Sequence, residues 1–154
     1  MDAYNITIIV GSGIVAQEFL KILEERDIPT GRIRLLATHS SAGSVVHFRD
    51  QKIIVEETTP DILDKNDGIV FLTATSDLTL QIAPIAKGHG SFVVDDSSAY
   101  RMDPSVPLVI PEVNATDLEW HQGIISQPNC TTTPLVLALA PIHATNPLQH
   151  IVVS

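Results

Sequence analysis

At 154 residues with 44% hydrophobic content, the chain is long enough to bury one substantial core and too short for two full domains. Its formal charge of −9, with nine scattered Lys and Arg, has nothing to offset phosphate repulsion and excludes a nucleic-acid electrostatic footprint. No apolar run approaches bilayer length, and the start, MDAYNITIIVGSG, lacks the n-region and cleavage site of a signal peptide, so a cytoplasmic protein with no membrane partner is expected.

In chain order, NITIIV at 5–10 reads as a short apolar strand running into glycines, and 16–25 carries apolar residues at helical spacing before Pro29. RIRLLA at 32–37 is a second strand, and VVHFRDQKIIVE at 45–56 alternates about a turn near Asp50, as a hairpin does. Short strands apolar on both faces follow at 68–72, 91–94, 108–110 and 123–126, the pattern of a largely parallel sheet. Helices are expected at 78–87, 115–121 and 131–143, and HIVV at 150–153 reads as the start of one more strand. The alternation predicts a Rossmann-type, doubly wound α/β fold with an inserted β-hairpin.

Gly11, Gly13 and Ala16 form G-x-G-x-x-A directly after a strand and at the start of a helix. Gly11 permits the tight turn, Gly13 lets a pyrophosphate approach the backbone, and Ala16 allows close helix packing. A strand-to-helix turn in any α/β protein offers the same glycines, so the turn alone leaves both readings open. After the second strand stand Thr38, His39, Ser40 and Ser41, with no carboxylate to take the ribose hydroxyls of NAD. Hydroxyls and an imidazole can donate to a 2′-phosphate, which leans towards NADP, while a plain polar loop fits these residues equally well.

Cys130, the only cysteine, cannot form an intramolecular disulfide. It lies in QPNCTTTPLVLALAP, at or next to the N-terminus of an apolar helix. Unpaired N–H groups and the helix dipole there would stabilise a thiolate and could hold an oxyanion; a small buried apolar cysteine is the alternative. No metal site is expected.

Taken together, GSGIVAQEFL at 11–20, LLATHSSAG at 35–43, DSSAYRMDP at 96–104, VPLVIPEVN at 106–114 and QPNCTT at 127–132 resemble aspartate-semialdehyde dehydrogenase, in order along nearly the whole chain. The resemblance implies reduction of L-aspartyl 4-phosphate by NADPH to the semialdehyde and phosphate, a step towards lysine, threonine and methionine. It implies Cys130 as the nucleophile of a thioacyl intermediate, Asn129 lining the acyl site, and Arg101 binding the substrate phosphate. It assigns the pyrophosphate turn to Gly11, Ser12, Gly13, Ile14 and Val15. The 2′-phosphate loop falls to Thr38, Ser40 and Ser41, and a further cofactor loop to Thr73, Ala74 and Thr75. Residues 1–148 are then the dinucleotide-binding domain and 149–154 the start of a catalytic/dimerisation domain through which the full-length family forms homodimers.

The sequence departs from the family at several positions. The family turn is G-x-x-G-x-x-G, one residue longer, and Ser40 stands where an arginine is common, which admits NAD as well as NADP. Asp77 and Asp96 replace a hydroxyl residue and an amide. The family's catalytic-domain glutamine, substrate-binding arginine and acid/base histidine lie beyond these 154 residues. His143 is over three helical turns from Cys130 and, with His150, reads as a surface or packing residue. The 154 residues alone are expected not to turn over. Two other readings are a non-catalytic nucleotide- or partner-binding module and an N-acetyl-glutamyl-phosphate reductase, the latter opposed by VIPEVN and PNCTT.

Overall fold

A computed structural model describes residues 3–10, 13–65 and 67–153. Strand β1 (Tyr4–Val10) leads through the glycine turn into helix α1 (Gly13–Glu25), then β2 (Thr30–Ala37), the hairpin strands β3 (Val45–Phe48) and β4 (Gln51–Ile54), and a two-residue β5 (Glu56–Glu57). There follow β6 (Ile69–Thr73), α2 (Ser76–Gly88), β7 (Phe92–Asp95), the short α3 (Pro111–Asn114), β8 (Ile124–Ser126) and α4 (Thr132–Thr145). Six strands form one parallel sheet in the order β5-β2-β1-β6-β7-β8, and β3 and β4 pair antiparallel beside it.

Strand alternation divides β1 between two cores. Ile6, Ile8 and Val10 pack with Leu35, Ala37, Ala16 and Leu20 of α1 and with Phe48 and Ile53 of the hairpin. Ile9 faces the other way and joins Leu36, Val70, Leu72 and Val93 under Ile82, Ala83 and Ala86 of α2. Each strand of the sheet's centre is covered on both faces, which is why these segments read as near-continuous apolar runs.

Past the reach of α2, the same face carries charge. Thr7 donates to Asp67 (2.8 Å), and Arg34 donates to Asp67 (2.7 Å) and forks onto Glu56 (2.9 and 2.7 Å). Asp67 and Arg34 are buried, so the pair persists because each satisfies the other. The fork and burial act in opposite directions on Arg34, and the fork prevails, holding the guanidinium above its ordinary value and the Glu56 carboxyl below its own. Gly68 then turns into β6 with φ +62°, where a Cβ would overlap the Asn5 carbonyl.

Four expectations change. The hairpin run does not continue to residue 56 as one element: it ends at Ile54, and Glu56 and Glu57 join the main sheet parallel to β2. LVI at 108–110 forms only an isolated bridge, Leu108 with Ser126, because Pro107 and Pro111 bracket the segment and leave it too few donors for a ladder. The expected helix at 115–121 is a 3₁₀ segment (Ala115–Trp120) after the α3 turn. HIVV at 150–153 forms no strand and pairs with no strand among the described residues.

Candidate functional site

All strands of the main sheet run parallel, so their C-terminal ends lie on one edge, and the order reverses between β1 and β6, where chain excursions leave in opposite directions. That switch point is where an open α/β sheet forms its ligand crevice. Every described residue expected to bind or react lies on a segment leaving this edge: Gly13 to Val15 after β1, Thr38 to Ser41 after β2, Thr73 to Thr75 at the end of β6, Arg101 after β7, and Asn129 and Cys130 after β8. Gly11 and Ser12 lie outside the described residues.

Gly13 opens α1, whose first turn carries no acidic residue to oppose an anion at the positive end of the helix dipole. A Cβ built on Gly13 would meet nothing within 4 Å, and its φ is not positive. Neither backbone conformation nor a protein neighbour demands glycine here, whereas a ligand lying against the backbone would. Ile14 and Val15 are exposed while Ala16 is buried against the sheet, as close helix packing requires. Gly13 and Ala16 line a cleft of about 210 Å³ that continues past Ala37 to Ser41, Ser44 and Val46 of the hairpin side.

The loop after β2 is a hydrogen-bonded turn. Ser41 and Ala42 donate their N–H groups to the Thr38 carbonyl (2.9 and 3.2 Å), and the Thr38 and Ser40 hydroxyls stand 3.0 Å apart. Gly43 and Ser44 are tied to Val55 by N–H···O bonds of 2.8 and 2.9 Å, fixing the loop to the hairpin. His39 is exposed, and its Nδ1 meets Glu57 Oε2 at 3.1 Å.

After β6, the Thr73 hydroxyl is closed from solvent and has no hydrogen-bond partner among the described residues. Register pairs Thr73 with Val10, so this orphaned hydroxyl adjoins the glycine turn. Ala74 follows in the bend, and Thr75 caps α2 by accepting from Leu78 N at 3.5 Å, a long bond.

Arg101 is anchored on two carbonyls. Its Nε donates to Gln127 O (2.9 Å) and its Nη2 to Asp96 O (2.7 Å), so the guanidinium bridges the exits of β7 and β8. Its Nη1 has no hydrogen-bond partner among the described residues. Partial burial pushes the Asp96 carboxyl above its ordinary range; Arg101 pulls it down and Asp95 pushes it up further.

Three residues beyond Gln127, Cys130 is exposed and precedes α4. The cap is made by Asn129: its Oδ1 accepts from Thr131 N (2.9 Å) and Thr131 Oγ1 (2.7 Å), and its carbonyl accepts from Thr132 N and Thr133 N (2.9 and 3.0 Å). Those bonds fix the amide's orientation, and Cys130 Sγ sits 3.9 Å from the same Oδ1. Pro134 falls near the start of α4, where a proline is tolerated. His143 turns to the far end of α4, where its Nδ1 accepts from Leu148 N (3.1 Å), a packing role.

Two contributors were not visible in the sequence. Glu57 lies 18 residues from His39 and reaches it only because β5 pairs with β2. Asn114, within the segment quoted for the resemblance, is a pin: Ile110 N donates to its Oδ1 (2.8 Å), and its Nδ2 donates to Leu108 O and Asp117 Oδ2 (2.9 and 2.7 Å). That pin holds the 107–109 segment against Ser126, whose N–H and carbonyl bond Pro107 and Val109 at 2.9 Å. Among the described residues no group of three His, Cys, Asp or Glu is placed to hold a metal ion, and no helix is long and apolar enough to cross a membrane.

Residues 5–121 match the family described as "Semialdehyde dehydrogenase, NAD binding domain". The chain is 41% identical over 150 residues to an aspartate-semialdehyde dehydrogenase of Prochlorococcus marinus and 38% identical over 150 residues to one of Bacillus subtilis, covering 97% of this chain and 43% of the relative in both cases. Its fold superposes with a TM-score of 0.86 and 32% identity on the crystal structure of aspartate semialdehyde dehydrogenase II complexed with ASA from Vibrio cholerae, covering 93% of this chain and 47% of that one. The chain spans less than half the length of each of these proteins.

Proposed function

Since the chain belongs to the semialdehyde dehydrogenase NAD-binding-domain family and is homologous to the dinucleotide-binding portion of aspartate-semialdehyde dehydrogenase, we propose that it binds NADP and presents Cys130 to an acyl phosphate, L-aspartyl 4-phosphate. The observation that carries this reading is Arg101. An anion-binding guanidinium is fixed to Gln127 O, three residues from the thiol, on the sheet edge that also holds the Gly13 turn.

The residues present fit a dinucleotide: an open face at Gly13, a helix N-terminus without acidic residues, and an orphaned Thr73 hydroxyl beside the turn. When bound, the nicotinamide supplies hydride to the acyl carbon. Gly13 to Val15 seat the pyrophosphate, while Thr38, Ser40 and Ser41 face the adenosine ribose. Arg101 Nη1 holds the substrate phosphate. The Cys130 thiolate attacks the acyl carbon, a C–S bond forms as the C–O bond to phosphate breaks, and phosphate leaves with the bonding pair. After reduction the C–S bond breaks and the thiolate returns. Asn129, its Oδ1 already occupied by the cap, offers its Nδ2 to the acyl oxygen.

Acid/base catalysis is not supplied by His143, whose ring is engaged with Leu148, so the 154 residues alone bind and acylate without steady turnover. Isothermal titration with NADPH and NADH tests the dinucleotide site, and mass spectrometry after exposure to the acyl phosphate tests the thiol. The expected outcome is saturable dinucleotide binding and one acyl adduct, absent from Cys130→Ser. No binding of either dinucleotide at millimolar concentration, or an adduct surviving in Cys130→Ser, would overturn the reading.

A further inference from the structure

The edge that faces the adenosine ribose carries a charge pair from two different strands. Leu36 pairs with Glu56 and Ala37 with Glu57, so the two successive carboxylates of β5 leave on opposite faces of the sheet. Glu56 turns to the Arg34 fork beneath the sheet. Glu57 meets His39, the loop's only ionisable residue between Thr38 and Ser44. Thr58 N donates to Ala37 O (2.8 Å), which holds Glu57 level with the end of β2.

In dinucleotide-binding folds, a carboxylate at this edge takes the free ribose hydroxyls, and a cation accommodates a 2′-phosphate. Here both groups are present, the carboxylate being contributed by the neighbouring strand instead of β2 itself. We infer that Glu57 and His39 together set the choice between dinucleotides with and without a 2′-phosphate, the protonated imidazole favouring the phosphate and an uncompensated Glu57 favouring the free ribose. This rests on the dinucleotide-binding reading above.

The charges around the pair support it. Arg34 and Arg32, the cations of β2, are engaged with Glu56 and Asp67 and with Asp64 respectively, which leaves Glu57 as the charged partner of His39. The hydrogen bond that Glu57 accepts and its charge raise exposed His39 above the ordinary imidazole value, against a smaller opposing desolvation. Below that raised value the ring is cationic and donates alongside the Thr38 and Ser40 hydroxyls. As pH rises through it, the proton leaves, the Glu57 charge stands alone, and a 2′-phosphate is repelled.

Dissociation constants of NADPH and NADH, measured by calorimetry between about pH 6 and pH 9, test the pair directly. The 2′-phosphate of the free cofactor titrates in this range as well, a contribution common to every variant, so slopes are compared between variants. The wild-type preference for NADPH is expected to fall about fivefold across the window, the scale of an exposed charge pair. His39→Gln should lower that preference and flatten the slope. Glu57→Gln should strengthen NADPH binding, weaken NADH binding and move the midpoint of the slope to lower pH. Both side chains are exposed, and an unchanged circular dichroism spectrum verifies folding. If both cofactors bind but neither substitution alters the ratio or its slope, this inference fails while the dinucleotide site stands. If wild type binds neither cofactor, both fail.

Discussion

Helices α2 and α4 are nearly equal in length, both follow a strand of the parallel sheet, and both contain an interior proline, yet they occupy opposite situations. α2 mixes polar and apolar residues and buries Thr79, Ile82, Ala83 and Ala86 on the sheet. α4 is apolar nearly all round, yet none of its residues is fully buried, Leu135, Val136, Leu139 and Ala140 being only half-buried. A helix apolar on every side ordinarily lies within a core, so composition alone would have ranked the two the other way. What decides is geometry: α2 returns to the sheet because β7 must follow it in parallel, whereas α4 leaves β8 at the end of the sheet order. The dinucleotide-binding half is therefore held by its own core, and the thiol sits at the start of a helix that draws almost nothing from it.

The comparison can be broken first at the buried charge network. Arg34→Ala leaves Asp67 buried without its ion-pair partner, and chemical denaturation should show a loss of about 3–5 kcal/mol. The pH profile adds a sign. Arg34 depresses the Glu56 carboxyl, so the stability from that bond is present above the ordinary carboxylate range and is lost as pH falls through the depressed value. In Arg34→Ala that contribution to the acid limb should vanish. Next, Ile82→Ala empties a fully buried site under α2, at an expected cost of about 2–5 kcal/mol by the same measurement. Smallest is Ile142→Ala on α4, half exposed, for which a change within about 0.5 kcal/mol is expected. A large loss there would mean that α4 is packed in solution and would erase the contrast.

Much of the fold was legible because parallel strands buried on both faces announce themselves as apolar runs, and helical spacing separates them. Residues 108–110 fell short of a strand because their prolines deny the ladder its donors, a local rule overriding an apolar pattern. At the site, the sequence named Gly13, Arg101 and Cys130 one by one through the resemblance; that their segments leave the same edge of the sheet follows from the strand order. What the sequence could not carry were contacts made by pairing across the fold. Glu57 lay just past the run read as a hairpin and reaches His39 only because β5 pairs with β2, and Arg101 gave no sign that its anchors would be the carbonyls of Asp96 and Gln127. The role of Asn114 was hidden for a different reason: a residue can mark a family by holding a loop, without touching any ligand.

The two carbonyls that hold Arg101 have a thermodynamic consequence. A free arginine loses roughly 2 kcal/mol of rotamer entropy when it is immobilised on an anion. Here folding has already restricted the side chain, through bonds to the segments leaving β7 and β8. A phosphate bound there, as proposed, would meet a cation whose direction is set, and the ordering that remains would be the ligand's own. A lysine would keep the charge but, with a single nitrogen, could not serve as the same brace between the two segments.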